Sequence, residues 1–215
     1  MKQSMIQDLM HSYNEIKNEI QIRIKEFESI LSSYTNDQIF AELCFCLFTP
    51  QSKAKSCWRS IETLVEKNLL LHGNASEIKK NITGVRFHNN KSRYLIEVRD
   101  RYLNGDLKDL KNFLLSIKPF ELREWLFINV KGYGIKEASH FLRNIGLGKD
   151  LAILDRHILK NLVLFGVIKE IPKTLNKKVY YEIEHKMKVF SKKIQIPMDH
   201  LDILFWYKEA GEIFK

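Results

Sequence analysis

KGYGIK, at residues 131–136, places two glycines, Gly132 and Gly134, between two amphipathic helical patterns. Glycine adopts positive φ angles readily and has no side chain that would keep another backbone away. A helix that begins at the second glycine presents unpaired backbone amides, which suit an anion such as a nucleic-acid phosphate. From these six residues alone, a plain helix–helix turn and a phosphate-binding hairpin both remain open.

The sequence on both sides of this stretch is also helical. Apolar residues recur at steps of three, four or seven from Ile6 to Leu31, which predicts a helix over 4–32. Thr35 and Gln38 form a capping-box pattern that opens the next helix. No convincing strand pattern is present, so the sequence predicts an all-α fold. Further helices are expected at 53–70, 75–83, 91–103, 107–117, 120–131 and 135–145 and after Pro172 and Pro197, with a loop at 85–90.

The composition favours a helical protein with a polyanionic partner. The chain of 215 residues contains only 9 Gly and 4 Pro, so turns should be few. Lys and Arg outnumber Asp and Glu by 35 to 26, and the net charge of +9 is typical of nucleic-acid binding, although a lysine-rich proteome would give it too. Neither a targeting segment nor an apolar run of 18 residues is evident, which predicts a cytoplasmic protein without a membrane partner.

The three cysteines lie early in the chain. Cys44 and Cys46 fall in an apolar run, and Cys57 follows in the next helical segment. We interpret them as buried free thiols in a reducing compartment, in preference to a metal site. No cysteine follows Cys57.

The sequence around the glycine pair resembles a known enzyme superfamily. VKGYGIKEASHFLRNIG, at 130–146, and LAILDRHI, at 151–158, resemble the helix-hairpin-helix and aspartate signature of base-excision DNA glycosylases. Asp155 stands 19 residues after Lys136, the spacing of the family's bifunctional members. The details look most like the type 2, or archaeal-type, 8-oxoguanine DNA glycosylase/AP lyases.

The resemblance implies a two-lobed fold with the active site in the cleft between the lobes. Residues 35–147 would form a helical barrel lobe that ends in the hairpin, and residues 1–34 plus 148–215 would form the second lobe. Other branches of the superfamily hold an iron–sulfur cluster on four cysteines near the C-terminus. This chain has no cysteine there, so no such cluster is expected.

The resemblance also assigns the catalytic residues. Lys136 would be the nucleophile that attacks C1′ of the damaged nucleotide, and Asp155 would stabilise the positive charge on the sugar. A lysine in water has a pKa of about 10.4, whereas a helix N-terminus in a partly desolvated cleft favours the neutral amine. Lys136 as a phosphate-binding lysine and Asp155 as a simple N-cap are the alternatives. Lys131 is a competing lysine, which we interpret as a phosphate contact or a helix cap.

Other residues are expected to bind the DNA and the base. Gln51, in the loop TPQSKA at 49–54, would fill the gap left by an extruded base, and Gly132 and Gly134 would bring a DNA phosphate against backbone amides. The alternatives are a loop glutamine that faces water and a plain helix–helix turn.

Three residues are expected to recognise the damaged base. Trp206 would stack on it, and Phe87 is a second stacking candidate. Lys215, the last residue of the chain, would help to distinguish 8-oxoguanine from guanine through its terminal carboxylate. Core packing is the alternative for Trp206, and a frayed chain end is the alternative for Lys215. His157 we interpret as structural.

The sequence therefore predicts a monomeric enzyme that binds double-stranded DNA, excises 8-oxoguanine and cleaves the strand by β-elimination. No redox cofactor or catalytic metal is expected, although a monovalent ion at the hairpin carbonyls is compatible with the pattern. A glycosylase for another damaged base and a non-catalytic helix-hairpin-helix protein that only binds DNA are the alternatives.

Overall fold

A computed structural model describes residues 2–215 and contains, within that range, twelve helices and no strand. The predicted all-α class is therefore confirmed. The helices are α1 Lys2–Ser33, α2 Asn36–Phe48, α3 Ala54–Glu66, α4 Leu69–His72, α5 Ala75–Asn81, α6 His88–Asn104, α7 Leu110–Ser116, α8 Pro119–Asn129, α9 Ile135–Asn144, α10 Arg156–Leu164, α11 Lys177–Ile194 and α12 Met198–Ala210.

Most helix ends follow the local signals in the sequence. The capping box before α2 forms as predicted, since the Thr35 amide donates to Gln38 Oε1 at 2.8 Å and the Gln38 amide donates to Thr35 Oγ1 at 3.3 Å. Two predicted boundaries were wrong. The expected helix over 53–70 divides at Asn68, whose φ of 55° interrupts it. The expected loop over 85–90 ends early, because α6 begins at His88, directly after Phe87 in the left-handed conformation.

Helix α9, which follows the glycine pair, packs against α1, α2 and α8. Helix α12 packs against α1, α10 and α11. Helix α2 is almost entirely buried and also contacts α3, α6 and α7. The long first helix thus packs with the C-terminal helices; the lobe boundaries at residues 35 and 147 stay a prediction.

The extended segment before Asp155 is held by buried polar groups. The Ala152 amide donates to Glu184 Oε2 at 2.8 Å, and the Ala152 carbonyl accepts from the Tyr180 hydroxyl at 2.7 Å. Glu184 also receives Arg123 through Nη1 at 2.5 Å and Nη2 at 2.8 Å. A planar guanidinium that donates through two N–H groups fixes the carboxylate in one orientation. These contacts place Asp155 at the start of α10.

The cysteines are buried and free, as predicted. Burial raises the pKa of the Cys57 thiol to about 11, which disfavours the thiolate needed for nucleophilic or metal chemistry. Across residues 2–215, no helix combines the length and the apolar composition that crossing a bilayer requires.

Candidate active site

A cavity of about 580 Å³ lies where α9, α10 and α12 meet the loop after α2. Five of the residues predicted from the sequence line it, namely Gln51, Lys136, Asp155, Trp206 and Lys215. These residues come from segments that are far apart in the chain, and the fold brings them to one cavity.

Lys136 lies in the first turn of α9 and faces this cavity. Its Nζ atom lies 2.9 Å from Glu137 Oε1, and 24% of its side chain is exposed. The other oxygen of the same carboxylate, Oε2, accepts from the Gly134 amide at 3.0 Å. Glu137 therefore connects the hairpin backbone to the lysine amine.

The two hairpin glycines differ in backbone angle and in what a side chain would meet there. Gly132 has a φ of +92°, and a Cβ atom there would lie 2.6 Å from Tyr94 Cδ2. Gly134 has an ordinary φ of −96°, but a Cβ atom there would lie 2.7 Å from Glu137 Oε2. The phosphate contact expected at these glycines stays a prediction. At Gly134 it requires Glu137 to release the amide.

Lys131, the competing lysine, points elsewhere. Its Nζ atom lies 3.0 Å from Glu97 Oε1 and 5.5 Å from the centre of the Tyr94 ring. The pair with Glu97 is solvent-exposed, and Lys131 does not line the cavity. Of the two hairpin lysines, only Lys136 is placed to meet a group inside the cavity.

Asp155 is the N-cap of α10. Its Oδ1 atom accepts from the Ile158 amide at 2.8 Å. Its Oδ2 atom accepts no hydrogen bond from the residues that the structure describes, and the side chain lines the cavity. A capping role and a role in the cavity are thus compatible, because each uses a different oxygen.

Trp206 presents its ring to the cavity from α12. The ring of His157 meets it edge-on, with centroids 5.3 Å apart and an interplanar angle of 85°. The Trp206 Nε1 atom is buried without a hydrogen-bond partner among the described residues. His157 also lies 3.5 Å from Glu209 Oε2 and lines the cavity itself, so its structural role stays a prediction.

Lys215 is fixed in the cavity wall by its side chain. Its ammonium forms an ion pair with Glu42, a carboxylate of α2 that is fully buried. The same ammonium lies 3.1 Å from the centre of the Trp58 ring, a cation–π contact. Burial lowers the pKa of Lys215, and Glu42 opposes that shift.

Gln51 and Phe87 occupy two neighbouring loops, both in the left-handed conformation, with φ angles of 54° and 58°. Gln51 lies on the rim of the cavity, as expected. Phe87 lies outside the cavity and is 53% exposed, with the Arg86 guanidinium 5.9 Å from its ring. Its position therefore does not support the predicted stacking on a base held in this cavity.

Comparison with known proteins identifies the family. The Ogg-HhH family model, described as 8-oxoguanine DNA glycosylase, matches residues 20–196. The chain belongs to the 8-oxoguanine DNA glycosylase family. A relative from Fusobacterium nucleatum, named 8-oxoguanine DNA glycosylase/AP lyase, is 47% identical over 217 residues, covering 100% of this chain and 99% of the relative. A second, from Methanocaldococcus jannaschii, carries the same name and is 36% identical over 98% of this chain and 97% of its own.

Two solved structures from the same family have the fold of this protein. The crystal structure of the Thermotoga maritima 8-oxoguanine DNA glycosylase matches with a TM-score of 0.88 and 31% identity, covering 100% of both chains. The Methanocaldococcus jannaschii 8-oxoguanine glycosylase/lyase in complex with a 15mer DNA containing 8-oxoguanine matches with a TM-score of 0.88 and 34% identity, covering 99% of this chain and 100% of that one. The resemblance read from the sequence is thereby confirmed.

The sequence interpretation missed three polar residues that line the cavity of this family member, namely His140, Arg143 and Asp202. Burial raises the pKa of Asp202 to about 7, although Arg143, with Nη2 4.0 Å away, opposes the shift. Burial lowers the pKa of His140 well below its ordinary value, so the imidazole is neutral. Asp202 precedes Trp206 by four residues on α12, and this helical spacing was the signal that could have found it.

Among residues 2–215, no group of three or more His, Cys, Asp or Glu side chains is arranged to hold a metal ion. The absence of a cofactor and the monovalent ion at the hairpin both stay predictions.

Proposed function

We propose that this chain excises 8-oxoguanine from duplex DNA and then cleaves the strand by β-elimination. One observation carries the proposal: Lys136 and Asp155 share a cavity with the Trp206 ring. A lysine amine, a carboxylate and an aromatic surface are the groups that a base-excising lyase requires. The printed names of the relatives, 8-oxoguanine DNA glycosylase/AP lyase, support the same reaction.

In the first step, the neutral Lys136 amine attacks C1′ of the extruded nucleotide. The new N–C1′ bond forms as the bond between C1′ and the base nitrogen breaks, and the base leaves with the electron pair and takes up a proton. The sugar carries positive charge as this bond breaks. The Asp155 carboxylate, with one oxygen in the cap and the other uncommitted, stabilises that charge.

The second step cleaves the strand. Transfer of a proton to the ring oxygen opens the C1′–O4′ bond and leaves a Schiff base between Lys136 and C1′. The Schiff base acidifies the C2′ protons; loss of one of them expels the 3′ phosphate and breaks the strand. Water then hydrolyses the Schiff base and restores the amine. Each step uses only the amine, a carboxylate and water.

The cavity wall recognises the base. Trp206 stacks on one face of it. Asp202, when ionised, and the terminal carboxylate of Lys215 accept from purine N–H groups, and the ion pair of the Lys215 ammonium with Glu42 holds that residue in the cavity wall. A base whose N–H donates to a buried carboxylate is bound much more tightly than a base that lacks this N–H, because the carboxylate is left unpaired in the second case.

The rim of the cavity binds the duplex. Gln51 fills the gap left by the extruded base and bonds the orphaned partner base. Gly132 and Gly134 present the hairpin to a phosphate. The net charge of +9 attracts the polyanion and makes affinity depend on salt concentration. The enzyme acts as a monomer on cytoplasmic, nucleoid DNA in this proposal.

Borohydride trapping tests the reaction directly. Incubation of the protein with a duplex that contains 8-oxoguanine, in the presence of borohydride, should give a covalent protein–DNA adduct. Lys136→Gln should give none while still binding the duplex. Lys131→Gln is the matched control, because it removes the other hairpin lysine, and it should still form the adduct. An adduct with Lys136→Gln would overturn the assignment of the nucleophile.

A lesion panel tests the substrate. Duplexes that carry 8-oxoguanine, an oxidised pyrimidine, an alkylated adenine or an unmodified guanine are offered separately. Excision of 8-oxoguanine well above the others supports the proposal. Preference for another lesion would favour the related glycosylase, and binding without any adduct would favour the non-catalytic alternative.

A further inference from the structure

Lys91, in the first half of α6, is a buried lysine that binds a loop on the rim of the cavity. It is only 4% exposed. Its Nζ atom donates to the Phe48 carbonyl at 2.6 Å, the Pro50 carbonyl at 2.7 Å and the Ser52 hydroxyl at 3.2 Å. The acceptors belong to the last residue of α2 and to the loop that follows it and carries Gln51, so the lysine uses its full set of donors on this one segment.

Burying this ammonium is unfavourable unless every proton finds an acceptor. The three acceptors of Lys91 are two carbonyls and a hydroxyl, none of which carries a charge. Burial accordingly lowers the pKa of Lys91 to about 8. An apolar side chain of the same length would pack here without this penalty. The polar arrangement therefore serves the two carbonyls. Without Lys91, the Phe48 carbonyl would keep only the Cys57 thiol, at 3.2 Å, and the Pro50 carbonyl only the Ser52 hydroxyl, at 3.3 Å.

A second contact ties the same loop to the segment before α6. The Arg86 amide donates to Ser52 Oγ at 2.9 Å, and the Ser52 amide donates to the Thr49 carbonyl at 2.9 Å. Both neighbours of Gln51 are thus held, Pro50 through its carbonyl and Ser52 through its hydroxyl. Gln51 itself is exposed at the rim of the cavity and has a φ of 54°.

We propose that Lys91 is a positioning residue for Gln51. It holds the loop at 48–52 in the conformation in which Gln51 enters the duplex and bonds the orphaned base. The inference rests on the proposed function and adds to it a residue that does not touch the DNA. A loop that is ordered before binding avoids the entropy cost of being ordered during base extrusion.

Excision from two duplexes separates this role from general stabilisation. In one duplex 8-oxoguanine faces cytosine; in the other it faces a base-free nucleotide, which leaves Gln51 nothing to bond. Lys91→Met should lower single-turnover excision from the first duplex by about 10- to 100-fold, the effect of losing hydrogen bonds to a charged group. Excision from the second should change by no more than about twofold.

A double-mutant cycle links Lys91 to Gln51. Gln51→Ala should reproduce the loss on the cytosine duplex, and the variant with both substitutions should be no slower than Lys91→Met alone, because an unheld Gln51 contributes nothing further. Lys67→Met is the matched control, since Lys67 Nζ binds Asn81 Oδ1 at 2.7 Å on an exposed surface that does not line the cavity. It should leave excision from both duplexes unchanged.

Amide hydrogen exchange measures how well the loop is ordered and does not depend on the excision reaction. The amides of Ser52 and Arg86 should exchange faster in Lys91→Met than in the wild type and the Lys67→Met control. Ser52→Ala removes one acceptor of Lys91 and keeps the test usable if Lys91→Met does not fold. Because it also removes the acceptor of the Arg86 amide, only the amide at position 52 is compared in this variant, where a smaller change in the same direction is expected. Unchanged exchange in both variants would overturn the proposal.

The remaining outcomes also decide between explanations. An equal loss on both duplexes, or additive effects in the cycle, would show that Lys91 stabilises the fold and does not position Gln51. Failure of the wild type on every lesion would refute the proposed function, while the exchange rates would still show whether Lys91 holds the loop.

Discussion

Lys136 Nζ lies 2.9 Å from Glu137 Oε1, although the two residues are neighbours in the same helix. Adjacent helical side chains normally point apart. They meet here because Glu137 turns back toward the start of α9, where its Oε2 atom accepts from the Gly134 amide at 3.0 Å. One carboxylate thus caps the hairpin and holds the proposed nucleophile.

Substitution of Glu137 should separate these two contacts. Glu137→Gln should keep most of the stability, because glutamine at this position also accepts from the amide before the helix. Glu137→Ala should lose about 1 kcal/mol, the usual effect of removing a helix cap. Urea unfolding measures both values. Equal stability of the two variants would show that the contact with Gly134 contributes nothing.

Substitution of Asp155 should likewise separate its capping of α10 from the effect of its negative charge. Asn is as good an N-cap as Asp, so Asp155→Asn should retain the bond from the Ile158 amide and unfold near the wild-type temperature. It should nevertheless lose most excision activity, since no negative charge then faces the sugar. Asp155→Ala should lose activity and also about 1 kcal/mol of stability. Full activity of the Asn variant would mean that Asp155 only caps α10.

The sequence predicts what depends on neighbours in the chain. The capping box at Thr35 and the cap at Asp155 were readable because their partners lie within three residues. The roles of Lys91 and Glu42 near the cavity could not be predicted from the sequence. Lys91 binds acceptors about 40 positions away, and Glu42 pairs with Lys215 at the other end of the chain. Long-range polar contacts of this kind leave no periodic pattern.

The resemblance, in turn, assigned residue types but not their surroundings. Lys136 and Trp206, to which it assigns roles, line the same cavity. The resemblance could not show that the Gly134 amide already donates to the Glu137 carboxylate, or that Phe87 is exposed to solvent. The first depends on the side-chain conformation of Glu137, and the second on the φ of 58° at Phe87.

The hairpin glycines should differ in their tolerance of alanine. Gly132→Ala should destabilise the protein by more than about 1 kcal/mol, because its φ of +92° is unfavourable for alanine and the new methyl group meets the Tyr94 ring. Gly134→Ala should cost less, since its φ of −96° is ordinary and only the end of Glu137 must move. Thermal unfolding compares the two. A larger loss for Gly134→Ala would contradict this order.

Lys215 should contribute to stability through Glu42. Lys215→Ala leaves a fully buried carboxylate without its cation, which should cost roughly 3 kcal/mol. Adding Glu42→Gln should recover much of that loss, because the buried group is then neutral. Lys55→Ala is the control, since its pair with Glu212 is about half exposed and should contribute less than about 1 kcal/mol. No recovery in the double variant would show that Lys215 acts through other contacts.

Asp202 should make stability fall as the pH rises between about pH 4 and pH 7. Burial raises its pKa in the folded protein to about 7, above the ordinary value of 3.8. Below the ordinary pKa the carboxyl is protonated in both states. Between the two values the unfolded chain releases the proton while the folded chain keeps it, so the unfolded state is favoured progressively.

Comparison with Asp202→Asn isolates this contribution. The difference in unfolding free energy between the wild type and Asp202→Asn should change across that window by no more than about 4 kcal/mol, since each pKa unit is worth about 1.4 kcal/mol. Asp150→Asn is the control: Asp150 is 70% exposed, so this variant should follow the wild type. Urea unfolding over a pH series measures all three. Parallel curves for the wild type and Asp202→Asn would place Asp202 in contact with water, with no raised pKa.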